Sequence, residues 1–235
     1  MGIVAEDGVP LDSVRYVTSV VIPPAGRAEV IVKTPPKDGL YQFFNEGFDT
    51  GPGGDFNPAA LLANVVPNTD TNVGRMPATT KPDTLKRFAG LTNLTPNKNR
   101  RLYFSENDDG TQFFITVAGQ TPKIYEPTDP PSIVTNEGSV EDWIIENHST
   151  EVHAFHLHQL HFIELEVNGQ PTNDNAVRDT IVMPYWDGVS PTFPSVKLRI
   201  DFRDPETVGT FLYHCHILDH EDGGMMAKIK VLPAN

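Results

Sequence analysis

Six of the chain's eight histidines crowd into two short segments, and their spacing there suits β-strands. The first segment is His153-Ala154-Phe155-His156-Leu157-His158. The second is His214-Cys215-His216-Ile217-Leu218-Asp219-His220, followed by Glu221-Asp222-Gly223-Gly224-Met225. Successive side chains on a strand point to opposite faces. His156 and His158 therefore share a face, and His153 takes the other. His214 and His216 share a face, and Cys215 takes the other. If the two strands are unbulged neighbours, four imidazoles converge on one side while His153 and Cys215 meet on the opposite side.

The second side has further ligands in the loop that follows. Cys215, His220 and Met225 are evenly spaced, with four residues between each pair. Gly223 and Gly224 let that loop fold back and bring Met225 to the same place. Two imidazoles, one thiolate and a weak axial thioether make a blue-copper electron-transfer site. The first side offers only imidazoles, which suit copper, zinc, iron or nickel. Cys215 is covalently continuous with His214 and His216, so the spacing links a one-electron site to a second metal cluster.

Plainer readings compete with this one. A single histidine on a strand is usually a satisfied core or surface residue. A structural zinc site uses Cys and His, but it needs neither the trailing Met nor the His-Cys-His run. His148 and His161 are expected to be packing or surface residues, since an extended strand puts His161 about 26 Å beyond His153. Met183 and Met226 are expected in the core.

The rest of the chain agrees with a β-rich fold. Short apolar or alternating runs over 19–22, 28–33, 40–44 and 59–66 read as antiparallel strands divided by turns. Residues 67–100 are polar and proline-bearing, a linker or long loop in which Pro82 is placed to open a short helix reaching Leu91. Strand patterns recur at 102–104, 113–117, 140–146, 152–167, 180–183, 196–202, 209–216 and 226–231. Leu198, Ile200 and Phe202 alternate with Lys197, Arg199, Asp201 and Arg203, the pattern of a half-buried antiparallel strand. About eight strands over this length suit a Greek-key sandwich or barrel. The organisation is therefore read as 1–67, a linker at 68–100 and a metal-bearing domain at 101–235.

The formal charge of −13 disfavours nucleic acid, whose phosphates call for clustered Lys and Arg. No apolar run is long enough for a membrane span. Residues 1–10 lack a basic stretch followed by an apolar one and are not read as a signal peptide. Cys215 is the single cysteine, so no intrachain disulfide forms.

At the two histidine segments the sequence resembles the multicopper oxidases, and within them the laccase-like and bacterial spore-coat-type enzymes. The resemblance extends to Asp7-Gly8-Val9-Pro10 and to Pro23-Pro24-Ala25-Gly26-Arg27-Ala28-Glu29-Val30, which look like later strands of the family's middle cupredoxin domain. It implies an all-β chain: a C-terminal Greek-key, plastocyanin-like cupredoxin barrel preceded by a partial second cupredoxin domain. It implies that His153, Cys215, His220 and Met225 hold a type 1 copper, His156 a type 2 copper, and His158, His214 and His216 the paired type 3 coppers. It makes His220 the point of electron entry. Glu221 matches an acidic position that supplies protons to oxygen in some members; a solvated loop carboxylate is the alternative. Asp179 reads as structural.

The family's oxygen-reducing cluster takes eight imidazoles, and this chain supplies four of them. The others are expected from an N-terminal cupredoxin domain or a partner subunit. The implied partners are oxygen and a small reducing substrate, a phenol, amine or metal ion, and the implied location is periplasmic or secreted. Three functions follow: an oxidase segment that takes single electrons and passes them to oxygen, a stand-alone type 1 electron-transfer module, or an inactive fragment with an association-prone apolar edge.

Overall fold

The computed structural model describes residues 1–33, 39–66 and 88–234. The chain begins with a hairpin, β1 (Gly2–Glu6) and β2 (Val9–Tyr16), closed by Asp7 and Gly8. Both turn residues have positive φ, 46° and 79°, as a two-residue hairpin of this twist demands. β3 (Ala28–Ile31) pairs with the other edge of β1. The apolar run expected as a strand at 19–22 has no strand in it, and Val21 and Ile22 are exposed. β4 (Tyr41–Asn45) and β5 (Ala60–Val65) form a separate two-stranded sheet.

The remainder is two facing sheets around one core. Its strands are β6 (Lys98–Glu106), β7 (Phe113–Val117), β8 (Ile133–Asn136), β9 (Val140–Asn147), β10 (His153–Leu157), β11 (Phe162–Val167), β12 (Gln170–Pro171), β13 (Val177–Arg178), β14 (Thr180–Met183), β15 (Ser195–Asp201), β16 (Gly209–Cys215) and β17 (Met226–Leu232). One sheet runs β14-β10-β16-β17-β8. The other runs β12-β11-β15-β9-β6-β7, with β13 on β11. Apolar side chains from both sheets, among them Phe104, Trp143, Leu157, Phe162, Leu198 and Ile229, are fully buried between them. Removing such a side chain from water contributes roughly 1.5–3 kcal/mol each.

Three expectations need correction. The run at 152–167 is two strands in different sheets, because the chain turns between β10 and β11 through Gln159, whose φ is 60°. β15 is covered on both faces. Arg199 and Asp201 are buried, and Arg199 donates to both oxygens of Asp142 and to the carbonyls of Leu91, Thr92 and Leu94. The cover comes from a 3-10 turn, Leu91–Asn93, inside the stretch expected as linker. Met226 is only partly buried and lies outside the core cluster, whereas Met183 belongs to it. The helix expected to open at Pro82 falls largely outside the described residues. No helix among the described residues is long and apolar enough to cross a membrane.

Candidate metal centre

β10 and β16 are antiparallel neighbours, with Phe155 opposite Cys215 and His156 opposite His214. The backbone pairing continues past their ends, where His158 N–H donates to the Leu212 carbonyl and His216 N–H to the Ala154 carbonyl. The condition on which the strand argument rested is therefore met, and the side chains part as parity requires.

On the core side lie His153, Cys215 and His220, all buried, with their ligand atoms within 4.8 Å of one another. His153 Nδ1 and His220 Nδ1 are 2.9 Å apart. Cys215 Sγ is 3.8 Å from the first and 3.5 Å from the second. The Ala154 N–H also points at Sγ, at 3.4 Å. Phe104 stacks on His153 and Phe113 on His220, with ring centroids 4.9 and 4.4 Å apart.

His220 sits on α1 (Leu218–Asp222), a short helix that sequence reading did not foresee. After it Gly224, at φ 104°, turns the chain back. Met225 N–H then donates to the His220 carbonyl, and Cys215 N–H donates to the Met225 carbonyl. Gly223 serves by closeness instead, since a Cβ there would lie 2.5 Å from the Phe113 ring. Met225 is fully buried beside this group.

The outer nitrogens assign the tautomers. Asn147 Nδ2 donates to the carbonyls of Glu151 and Pro184, so its Oδ1 is an acceptor. Ser149 spends its hydroxyl proton on that oxygen, 2.8 Å away, and so accepts from His153 Nε2–H at 2.6 Å. Glu151, acceptor-only as a carboxylate, takes His220 Nε2–H at 3.0 Å. Both Nδ1 lone pairs then face each other and the sulfur. Such a convergence is repulsive unless a cation sits among the three atoms, so the donor set fits a soft transition metal.

In the metal-free chain a proton relieves that repulsion. Burial disfavours a charged His220, but hydrogen bonds to Cys215 and Glu151 outweigh burial and lift its pKa to about 9. Burial, reinforced by His220, holds His153 well below its ordinary value.

On the opposite side four rings gather. Centroids of His156, His158, His214 and His216 lie 5.0–5.4 Å apart in neighbouring pairs. His158 Nε2 and His214 Nε2 are 3.0 Å apart. His214 Nδ1–H donates to the Cys215 carbonyl at 3.0 Å, which leaves Nε2 as the lone pair. Burial, with the surrounding rings, lowers the His214 pKa to about 4 and lowers that of His158 as well, so both are neutral imidazoles near pH 7. His216 groups with His214 and Glu221 rather than with His156 and His158. Glu221 Oε2 lies 3.3 Å from His214 Nδ1, so this carboxylate reaches the imidazole side.

Behind His156 the two N-terminal motifs come together. Thr180 Oγ1 donates to Asp179 Oδ1 and accepts from His156 Nδ1–H at 2.8 Å. Arg27 clamps both Asp179 oxygens at 2.8 and 2.7 Å. Asp7 accepts from the N–H groups of Asp179 and Thr180. Burial opposes the Asp179 charge, but bonds from His156, Arg27 and Thr180 prevail and hold its pKa well below the usual carboxylate range. Asp179 thus buttresses a candidate ligand.

His148 and His161 stay apart from both groups. His148 stacks between Tyr103 and Phe193. His161 packs against Phe88, with Nε2 near the Asp7 carbonyl. His220, read from the sequence as the point of electron entry, is buried and capped by Glu151. Asn147, Ser149 and Glu151 escaped the sequence reading. Their only signal was a run of small polar and acidic residues just before the first histidine segment.

A family model described as multicopper oxidase matches residues 93–235. The multicopper oxidase mco of Staphylococcus aureus is 29% identical over 141 residues, covering 58% of this chain and 28% of its own length. That of Staphylococcus haemolyticus is 37% identical over 97 residues, covering 39% and 20%. Among solved structures, a Campylobacter jejuni multicopper oxidase described as a metallo-oxidase superposes with a TM-score of 0.69 at 23% identity, over 99% of this chain and 49% of that one. The 2F4 variant of McoA multicopper oxidase from Aquifex aeolicus gives 0.74 at 20% identity, over 98% and 50%. These structures share the cupredoxin fold with this chain, which spans about half of their length.

Proposed function

We propose, for a chain that belongs to the multicopper oxidase family, that it takes single electrons at a type 1 copper site and supplies half of an oxygen-reducing copper cluster. In this reading His153, Cys215, His220 and Met225 hold the type 1 copper, His156 binds the type 2 copper, and His158, His214 and His216 bind the type 3 pair. The observation that carries it is the buried meeting of two imidazole Nδ1 atoms with the Cys215 sulfur, on the strand whose other face carries His214. Copper in these sites supplies a one-electron couple on the core side and reduction of oxygen to water on the other.

The chain's own residues divide the work. Cys215 joins the two sides through its backbone bonds to His214 and His216. Ser149 and Glu151 hold the ligand tautomers. Glu221, whose carboxylate lies 3.3 Å from His214 Nδ1, is placed to relay protons toward the imidazole side, and Asp179 with Thr180 orients His156. His220 is the electron entry, reached past Glu151 from a cavity of about 1160 Å³ that both line. That cavity takes a small reductant: a phenol, an amine or a metal ion. The other four imidazoles come from an N-terminal cupredoxin domain or a partner subunit, and the complete enzyme works in the periplasm or outside the cell.

Copper titration tests the reading. One equivalent should give an intense blue thiolate-to-copper band, and Cys215→Ser should abolish it. A band that survives the substitution refutes the thiolate assignment. A stand-alone electron-transfer module is the second reading, supported by the buried grouping of His153, Cys215 and His220, which needs no histidine from outside the chain. Oxygen uptake separates the two readings. This chain alone should bind close to one type 1 copper and consume no oxygen, with uptake appearing only beside the complementing domain. Full oxidase activity from the chain by itself would refute the half-cluster assignment.

A further inference from the structure

Both outer-nitrogen partners of the core-side histidines, Ser149 and Glu151, sit on one irregular loop, residues 148–152. Asn147 grips that loop from within. Its outer side is held by a turn at residues 50–54, about a hundred positions away in the sequence. Gly53 N–H donates to the Thr150 carbonyl at 3.0 Å, and Val152 N–H donates to the Thr50 carbonyl at 2.9 Å. These two bonds bracket Glu151. The turn is closed by Gly54 N–H to the Gly51 carbonyl and anchored by Tyr185, whose hydroxyl donates to Asp49.

The glycines make the approach possible. A Cβ on Gly51 would lie 2.4 Å from the Thr150 carbonyl oxygen and 2.6 Å from the Tyr185 ring, at a φ of +96°. A Cβ on Gly53 would lie 2.7 Å from Thr150 Oγ1. A side chain at position 51 therefore displaces the backbone of the loop itself.

We propose that the turn at residues 50–54 is a positioning element of the Cys215 site: seated on Thr150, it fixes the 148–152 loop and, through Ser149 and Glu151, the aim of the His153 and His220 rings. The inference rests on the type 1 reading given above. Partners that orient a ligand from outside typically change metal affinity 10–100-fold when lost. The N-terminal segment thus acts on the metal site without contributing a ligand.

The test compares Gly51→Ala and Gly53→Ala with Gly169→Ala. Gly169 has φ +71° and open space around it, so its variant carries the backbone strain without the contact. In the metal-free chain, NMR reads the Nε2–H protons of His153 and His220. In the copper-loaded chain, the affinity, the blue band and the reduction potential are read. Gly51→Ala should shift or broaden both Nε2–H signals, weaken copper binding about tenfold and move the potential, with Gly53→Ala a milder copy. Gly169→Ala should match the parent. Should Gly51→Ala not fold, Gly53→Ala decides alone. Unchanged Nε2–H signals and affinity in the folded variants overturn the proposal, and so does a Gly169→Ala variant that reproduces the changes. If the parent shows no blue band, the type 1 reading fails, and the metal-free NMR arm still decides the positioning role.

Discussion

Asn147→Ala should cost both stability and copper affinity, by amounts the structure allows one to work out. Asn147 is fully buried and its side chain makes four hydrogen bonds, two donated to the carbonyls of Glu151 and Pro184 and two accepted from Ser149 N–H and Oγ–H. At roughly 0.5–1.5 kcal/mol net per bond, plain addition gives roughly 2–6 kcal/mol. The four share one neighbourhood and will not add fully, so about 3 kcal/mol is expected. The second effect is a proton shift. Released from Asn147, the Ser149 hydroxyl can donate to His153 Nε2, and the ring proton then moves to Nδ1. That removes the lone pair aimed at Cys215 Sγ, and copper should bind about 10–100-fold more weakly. Urea denaturation of the metal-free chain measures the first effect. Long-range 1H–15N correlation of the His153 ring reads the tautomer, and competition with a chelator reads the affinity. A variant that keeps its proton on Nε2, binds copper within about twofold of the parent and loses under about 1 kcal/mol would refute the network assigned here.

Arg199→Met should destabilise the chain by roughly 3–5 kcal/mol, because it takes the two-bond partner from the buried Asp142 carboxylate and leaves only Lys197 Nζ at 3.7 Å, and Arg199→Met/Asp142→Leu should recover most of that in the same urea assay. The two-stranded sheet of β4 and β5 leaves Phe44 and Leu62 exposed at 52% and 64%, so the isolated chain should self-associate, and Leu62→Lys should shift size-exclusion elution toward the monomer. A parent that elutes as a clean monomer at high concentration would count against it. If Met225 supplies a weak thioether to the copper, as proposed, the reduction potential should be modest and should rise in Met225→Leu; voltammetry at the top of the laccase range for the parent would contradict that proposal.

What could be read from the sequence, and what could not, divides along a physical line. Strand parity is a property of the backbone, so it placed His153 and Cys215 against four imidazoles before any partner strand was known, and the pairing of β10 with β16 bears that out. Parity fails where the chain leaves a strand. His220 and Met225 follow β16 through a short helix and a glycine turn, and their meeting with Cys215 was legible only from the spacing of residue types. Ser149, Glu151 and Asn147 have no period at all, because a loop aims its side chains by local hydrogen bonds and by whatever packs over it. Here that cover is the turn at 50–54. The same limit explains β15. Its alternation of apolar and charged residues is the pattern of a solvent face, yet the segment 88–94 lies over it and Arg199 turns inward to carbonyls there. Alternation reports which face is polar; only the tertiary neighbour determines whether that face is wet. The residues that tune a metal site belong to this second class, so a ligand set can be complete in the sequence while the groups that fix its tautomers wait for the fold.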